Sequence, residues 1–354
     1  MIIKNDCLLF NGDQPCNPHK ESGYHCDGCP AYIQIEKKIL IIKLGALGDV
    51  IRTTPILRKL KKNFPNSHIT WLTYFPDVLS SVWINRILPV NIESLELIKQ
   101  TEFDWLINLD KDSLAISLTQ QIKSKRKNGF TIDDFGHAKP MSSDAENHKW
   151  ITGLFDDESK KNKKHYVQEI FEILGYDFKD EEYILDINKN YIWEIDHKKK
   201  IVGLNTGCGG RWISRLWPDE YWVELAANLI RNQNEVIFLG GEQEHDKNLM
   251  LSEKSGGKYF GYFKLNKFIS LVNECDLVVT AVTMAMHIAM GLHKRTIIFN
   301  NIFNRNEFYL YGRGEVIEPE PKCDCYYSPT CTHQSMKNLK PEKVLKSISK
   351  YLSN

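Results

Sequence analysis

The sequence contains no long apolar run. Nothing in it approaches the roughly 18 apolar residues that a membrane helix needs, so no membrane-spanning helix is expected. Its first residues, MIIKNDCLLF, lack the apolar core and small-residue cleavage site of a signal peptide. These two absences predict a cytoplasmic protein and leave room for peripheral contact at the inner membrane. Net charge is also nearly absent, at +1 over 354 residues, so bulk charge offers no attraction to nucleic acid. The basic stretch Lys161–Tyr166 reads as solvated surface. No G-x-G-x-x-G follows the first predicted strand, which argues against a nicotinamide oxidoreductase, and no Gly-Lys-Ser/Thr is present there to make a phosphate-binding Walker loop.

What is present describes a folded α/β chain. Apolar residues make up 42% and charged residues 26%, and the length suits two domains better than one. KKILIIKLG reads as a buried parallel strand ending in glycine. DVIRTTPILRKLKKNFP follows with helical spacing: Val50, Ile56, Leu57 and Leu60 share a face and the basic residues fall mainly outside it. SHITWLTY and DWLINLD are further strands. The stretch GFTIDDFGHAKPMS reads as a loop, and HYVQEIFEILG as an amphipathic segment. At Ile201 the pattern restarts: IVGLNTG, NEVIFLGG, DLVVTAVT and KRTIIFN are strands, and WPDEYWVELAANLIRNQ, LNKFISLVNEC, MAMHIAMGLH and PEKVLKSISKYL are helices. Pro218 is expected in the first turn of its helix. The expected division is a cysteine-rich appendage over 1–37, an N-terminal domain over 38–195, a C-terminal domain over 196–340 and a closing helix over 341–354. Open parallel sheets bind ligands at the carboxyl ends of their strands, so the exits at Gly45, Gly207, Gly240 and Thr280 should face a site.

The segment IIKLGALGDVIRTTP carries the first chemical question. Asp49 at a helix start is either a cap or a carboxylate pre-oriented as a general base, held by backbone N–H groups. Here the chain resembles the glycosyltransferases that include the bacterial lipopolysaccharide heptosyltransferases. IIKLGALGDVIRTTPILRKL, RLWPDEYWVELAANL, EVIFLGG and VTAVTMAMHIAMGL carry the resemblance, which spans about residues 39–350. It implies a GT-B fold, two Rossmann-like domains facing across a cleft, and metal-independent, inverting transfer of a sugar from a nucleotide donor, ADP-heptose being the family's leading one. The acceptor that the resemblance implies is a lipopolysaccharide core, another surface glycan or a protein hydroxyl. Asp49 matches the family's proposed base. Gly48 and Asp110 are expected on the acceptor side, although Asp110 and Asp112 could each simply cap a helix.

Donor contacts are expected from Thr206, Arg215, Glu242, Thr283, Met284 and His287. Arg215 aligns with a family basic residue near the donor phosphate, where a leaving diphosphate needs electrostatic relief. The family's Asp-Ser/Thr-Gly turn is Val282-Thr283-Met284 in this chain, so a carboxylate is lost and a methionine replaces the glycine. That alteration keeps open a rival reading, a non-catalytic protein that binds a nucleotide sugar or glycan on a transferase fold; Asp49 and Arg215 oppose it. His287 is either packed or a diphosphate contact, and Trp212, Trp217 and Trp222 read as core.

The nine cysteines are clustered. Cys7, Cys16, Cys26 and Cys29 supply four thiols that suit a structural zinc, or an iron, and would staple the appendage. Cys323, Cys325 and Cys331 number only three, and they either recruit His333 or pack in a loop.

Overall fold

The computed structural model of the chain describes residues 2–188 and 190–352. Ser353 and Asn354, the end of the expected closing helix, lie outside the described residues; that helix is Pro341–Leu352. The chain forms two compact units. The first comprises Met1–Gly45, Thr53–Trp150 and Ile170–Glu181, and the second Ala46–Arg52, Ile151–Glu169 and Glu182–Asn354. This is not a single cut near residue 195. The cysteine-rich N-terminus groups with the first unit instead of standing apart, and the segment Ala46–Arg52, mostly helical, groups with the second. Among the described residues no helix is long and apolar enough to cross a membrane.

The first unit is built on six strands: β1 (Lys37–Ile42), β2 (Ser67–Thr73), β3 (Arg86–Pro89), β4 (Phe103–Asn108), β5 (Ser124–Ile132) and β6 (Ala138–Pro140). Their order is β3-β2-β1-β4-β5-β6, parallel except for the β5–β6 pair. Leu40, Ile42, Leu72 and Leu106 form its core, so the central strands are continuous apolar runs, as sheets covered on both faces require. The expected loop at GFTIDDFGHAKPMS is instead the end of β5 and the antiparallel β6. β5 begins with polar residues and buries only Phe130 and its neighbours, so hydrophobic alternation is too weak there to announce a strand. The helix expected after β1 is divided into Leu47–Thr53 and Pro55–Asn63. Proline has no N–H to continue the ladder, and Pro55 starts the second piece.

At the carboxyl end of β4, Asp110 is only 9% exposed and is wholly engaged. It accepts from Lys43 Nζ at 2.6 Å and from the N–H groups of Leu44 and Gly45 at 2.5 and 3.3 Å. These contacts pin the chain where it leaves β1. Asp112, next along, is the cap, accepting from the Ala115 N–H at 3.2 Å. Removing one partner of a buried pair leaves the other charge uncompensated, at a cost of about 3–5 kcal/mol. Asp110→Ala is therefore expected to lower the unfolding free energy by that much, seen as a lower denaturant midpoint at unchanged slope, with Lys43 still buried; an unchanged midpoint would return Asp110 to an acceptor-contact role.

The second unit carries β7 (Ile201–Asn205), β8 (Glu235–Leu239), β9 (Leu277–Ala281), β10 (Arg295–Phe299) and β11 (Gly314–Ile317). They are all parallel, in the order β11-β10-β9-β7-β8. Trp217, Trp222, Phe238 and Phe299 dominate its core, which confirms Trp217 and Trp222 as packing residues. Pro218 is the N-cap of the helix Asp219–Arg231 rather than part of its first turn; its ψ of 141° is extended and precedes the helix. The strand order reverses between β7 and β9, the topological switch point at which doubly wound sheets bind ligands.

Candidate functional site

A cavity of about 900 Å³ opens at that switch point, within the second unit. That volume is of the size that accepts a drug-sized or cofactor-sized ligand. Asn205 and Gly207 line it from the end of β7, and Val282 and Thr283 from the end of β9. Of the expected site residues, Gly48, Asp49, Arg215, Glu242, Thr283, Met284 and His287 all line it. Asp110 and Thr206 do not. Thr206 donates to Asn248 Oδ1 at 2.6 Å and lines a neighbouring cavity of about 810 Å³. Of the four expected strand exits, Gly207 and Gly240 line the first cavity, whereas Gly45 and Thr280 do not.

Asp49 stands inside the first turn of the helix Leu47–Thr53, not at its cap. Its Oδ1 pairs with Arg52 at 2.8 Å, and its side chain is 33% exposed. Arg52 also donates to Glu307 Oε1 at 2.8 Å, and its guanidinium lies 3.6 Å from the centre of the Tyr166 ring. Burial opposes the charge on Arg52, but Asp49 and Glu307 outweigh it and raise its pKa above the ordinary arginine value. The spacing of this segment puts its basic residues mainly outside the apolar face. Arg52 is instead a half-buried bridge between two carboxylates, and the three-residue spacing from Asp49 is the available signal. Glu307 was not anticipated, because only the tertiary fold brings it near.

Arg215 differs from Arg52: among the described residues it forms no ion pair with a carboxylate. It is 7% exposed. It donates to the carbonyl oxygens of Cys208, at 2.8 Å, and Val282, and its Nε has no partner. Trp212 and Phe303 each present a ring 5.5 Å from the guanidinium. Burial pushes its pKa down to about 10, which leaves it cationic at neutral pH. A cation desolvated beside a cavity and lacking a counter-charge is suited to an anionic ligand.

The helix Met284–Gly291 begins at the same wall. Thr283 precedes it with extended backbone and does not use its side chain to cap the helix. Its hydroxyl pairs with Thr280 Oγ1 at 3.0 Å. The first-turn N–H groups of a helix lack intrahelical partners and favour negative charge. Met284, 38% exposed, is the first residue of this turn. Glu242 is exposed at the cavity wall, in a short turn after Gly241. Its neighbour Glu244 accepts from the Gly241 N–H at 3.0 Å. A Cβ on Gly207 would lie 2.1 Å from Glu244 Oε1, so the glycine there lets the carboxylate pass.

His287 is buried, and among the described residues its Nδ1 has no hydrogen-bond partner. Burial, reinforced by Arg52 and opposed by Asp49, pushes the imidazole down to about 3, so it is neutral at physiological pH. Tyr183 stacks on it with ring centres 6.4 Å apart. On its other side the ring touches the Gly48 backbone: a Cβ there would be 2.4 Å from His287 Cδ2. The reason for glycine before Asp49 is thus this close approach. Gly48→Ala should destabilise the protein by about 1–3 kcal/mol through overpacking. The check is thermal unfolding of Gly48→Ala, His287→Ala and the double variant. The double variant should recover part of the loss; purely additive losses would mean that the histidine contact is not the cause.

The four N-terminal thiols of Cys7, Cys16, Cys26 and Cys29 line one cavity of about 30 Å³. Among the described residues, however, the one group of metal-ligand type whose atoms all lie within 4.8 Å of one another is Cys323, Cys325 and Cys331. The wide N-terminal spacings are spent on a loop and the helix Asn17–Ser22, whereas Cys-x-Cys-x5-Cys closes in one loop.

Comparison with known proteins agrees with this geometry. The model of glycosyltransferase family 9 (heptosyltransferase) matches residues 96–301, more than half of the chain. A lipooligosaccharide heptosyltransferase 2 from Campylobacter jejuni is 23% identical over 324 residues, covering 88% of this chain and 98% of the relative. Among solved structures, a family 9 glycosyl transferase from Veillonella parvula superposes with a TM-score of 0.70 at 18% identity, over 90% of this chain and 97% of the other. The E. coli ADP-heptose lps heptosyltransferase II gives 0.67 at 16% identity, over 89% and 98%. These likenesses agree with a GT-B architecture of two Rossmann-like, mainly parallel sheets.

Proposed function

Because the chain belongs to glycosyltransferase family 9, the heptosyltransferases, and is an enzyme of that transferase class, we propose that it moves a heptose from ADP-heptose to a hydroxyl of a cell-surface glycan such as a lipopolysaccharide core. The observation that carries this reading is the cavity in which Asp49, the uncompensated Arg215 and the start of the helix Met284–Gly291 converge. The donor's diphosphate lies against Arg215 and the first-turn N–H groups. Glu242 and Thr283 supply contacts to donor hydroxyl or phosphate oxygens, Met284 shapes the wall, and Gly48 borders the acceptor.

Asp49 takes the proton from the acceptor hydroxyl as its oxygen attacks the anomeric carbon. The new C–O bond forms on the face opposite the diphosphate while the bond to the diphosphate oxygen breaks, so the configuration inverts. The departing ADP carries the bonding electron pair, and Arg215 meets its charge where it grows. The proton then passes from Asp49 to solvent. Each part in this scheme is played by a side chain or backbone group, and no step is routed through a metal ion. Neutral His287 neither adds charge nor competes for the proton at physiological pH. A cytoplasmic setting with peripheral contact at the inner membrane fits a nucleotide donor and a membrane-borne acceptor.

The test is incubation with a panel of nucleotide sugars, with and without acceptor glycans, reading free nucleotide and product mass. ADP release that requires an acceptor, together with a glycan heavier by one heptose, is expected. Binding of ADP-heptose without turnover on any acceptor of the panel would favour the non-catalytic reading instead.

A further inference from the structure

Among the thiols that this chemistry does not use are Cys323, Cys325 and Cys331. Their sulfurs lie within 4.8 Å of one another, with Cys323 Sγ and Cys331 Sγ 3.4 Å apart. The Cys325 N–H donates to Cys323 Sγ at 3.3 Å, and Cys331 Sγ lies 3.7 Å from Ser335 Oγ. All three are half-buried. A separation of 3.4 Å is contact, not a disulfide bond, which is about 2.05 Å long. Pairing two of the three would also strand the third thiol beside the bridge. Three sulfurs converging at this spacing instead resemble the face of a tetrahedron around a thiophilic ion: a Zn–S bond of about 2.3 Å places neighbouring sulfurs about 3.8 Å apart.

The surrounding loop explains what such an ion would do. Residues 318–334 contain no helix or strand, lying between β11 and the turn Ser335–Asn338. Structureless segments of this length in compact domains call for a functional or stabilising reason. The tip between Cys325 and Cys331 builds part of the large cavity. Tyr327 lines that cavity, donates its N–H to the Ile302 carbonyl at 2.8 Å, and packs edge-on against Trp212 and Phe303. The carbonyls of Ser328 and Pro329 accept from Ser214 Oγ and N at 2.8 and 3.0 Å, one residue before Arg215. The thiols therefore close the base of a loop whose tip supports the arginine segment.

We propose that Cys323, Cys325 and Cys331 form a structural trithiolate site for a thiophilic divalent cation of the zinc class, with solvent as the fourth ligand, and that this ion fixes the 326–330 tip against the cavity. Binding releases the three thiol protons to solvent and forms three metal–sulfur bonds with no change of oxidation state. The consequence for donor binding rests on the proposed transferase reading; the metal site does not.

The full-length protein, purified without chelator and under mild reductant, is analysed for bound metals alongside Cys323→Ser/Cys331→Ser. The wild type should carry one more equivalent of zinc-class metal than the double variant. A set with Cys7, Cys16, Cys26 and Cys29 replaced by serine should retain that equivalent, which separates the two thiol groups. Should the double variant fail to fold, wild-type protein decides the matter. Native alkylation with mass mapping should find all three thiols protected, and reactive only after chelation. Equal metal content in folded wild type and double variant would overturn the site, as would thiols already reactive before chelation or a Cys323–Cys331 disulfide. Titration with ADP tests the second half: removing the metal should weaken ADP binding at least about tenfold. Loss of the metal with unchanged ADP affinity would overturn the link to the cavity while leaving the metal site intact.

Discussion

Asp49→Asn should lower transfer by about 10²–10⁴-fold while leaving ADP affinity and the unfolding midpoint near their original values. The substitution preserves size and keeps an oxygen toward Arg52 but cannot accept the acceptor's proton at neutral pH. Arg52 retains Glu307 at 2.8 Å, so the half-buried guanidinium is not left without a counter-charge. That second carboxylate makes the variant informative: the chemistry can be removed without unpairing that ion. Single-turnover transfer with saturating donor separates the chemical step from product release, and isothermal titration with ADP reports on the donor site. Turnover within a factor of a few of wild type would end the assignment of Asp49 as base. A fall in turnover accompanied by an equal fall in ADP affinity would move Asp49 into donor binding.

The second large effect is expected at Arg215. Replacing it with alanine should weaken ADP binding and reduce kcat by about 10²–10³-fold, the cost typical of losing one preorganised group that stabilises developing negative charge, about 2.7–4 kcal/mol. The expectation follows from its isolation. Arg52 is committed to two carboxylates, whereas Arg215 is buried and, among the described residues, donates its hydrogen bonds to the backbone carbonyls of Cys208 and Val282. The same carbonyl contacts make Arg215 a strut, and Arg215→Lys tells strut from anion site. Lysine preserves the charge but not the planar fork that reaches two carbonyls. If the electrostatic role dominates, the lysine variant should recover part of the ADP affinity, and the remaining affinity should fall with added salt. An alanine variant that melts lower yet binds ADP and turns over normally would reduce Arg215 to a structural role.

Much of this site was legible before the fold was known, and for a physical reason. Buried parallel strands write themselves as apolar runs, so β1, β2, β4 and β7 to β10 stand out, and their polar exits name the loops that carry chemistry. Asp49, Arg215, Glu242, Thr283, Met284 and His287 all lie on such exits or in the elements they open, and all line one cavity. Polar strands are less visible. β5 and β6 carry too little buried surface to impose alternation, and a loop was the natural reading. Thr206 and Asp110 sit at strand ends as well, yet sequence position does not say which way a side chain turns. Thr206 turns to Asn248, and Asp110 to Lys43 and the backbone leaving β1.

The sequence by itself determined the two mainly parallel sheets and the residue types at their carboxyl ends, because burial, turn geometry and residue spacing are local properties of a chain. Only the tertiary structure decided the pairings. It made Arg52 the bridge between Asp49 and Glu307, set His287 against the Gly48 backbone and left Arg215 without a carboxylate. It also drew three thiols near the C-terminus, rather than four near the N-terminus, to within metal-binding distance. Each of these depends on contacts between segments distant in sequence, whose directions follow from how sheets and helices pack and not from the order of residues along any one of them.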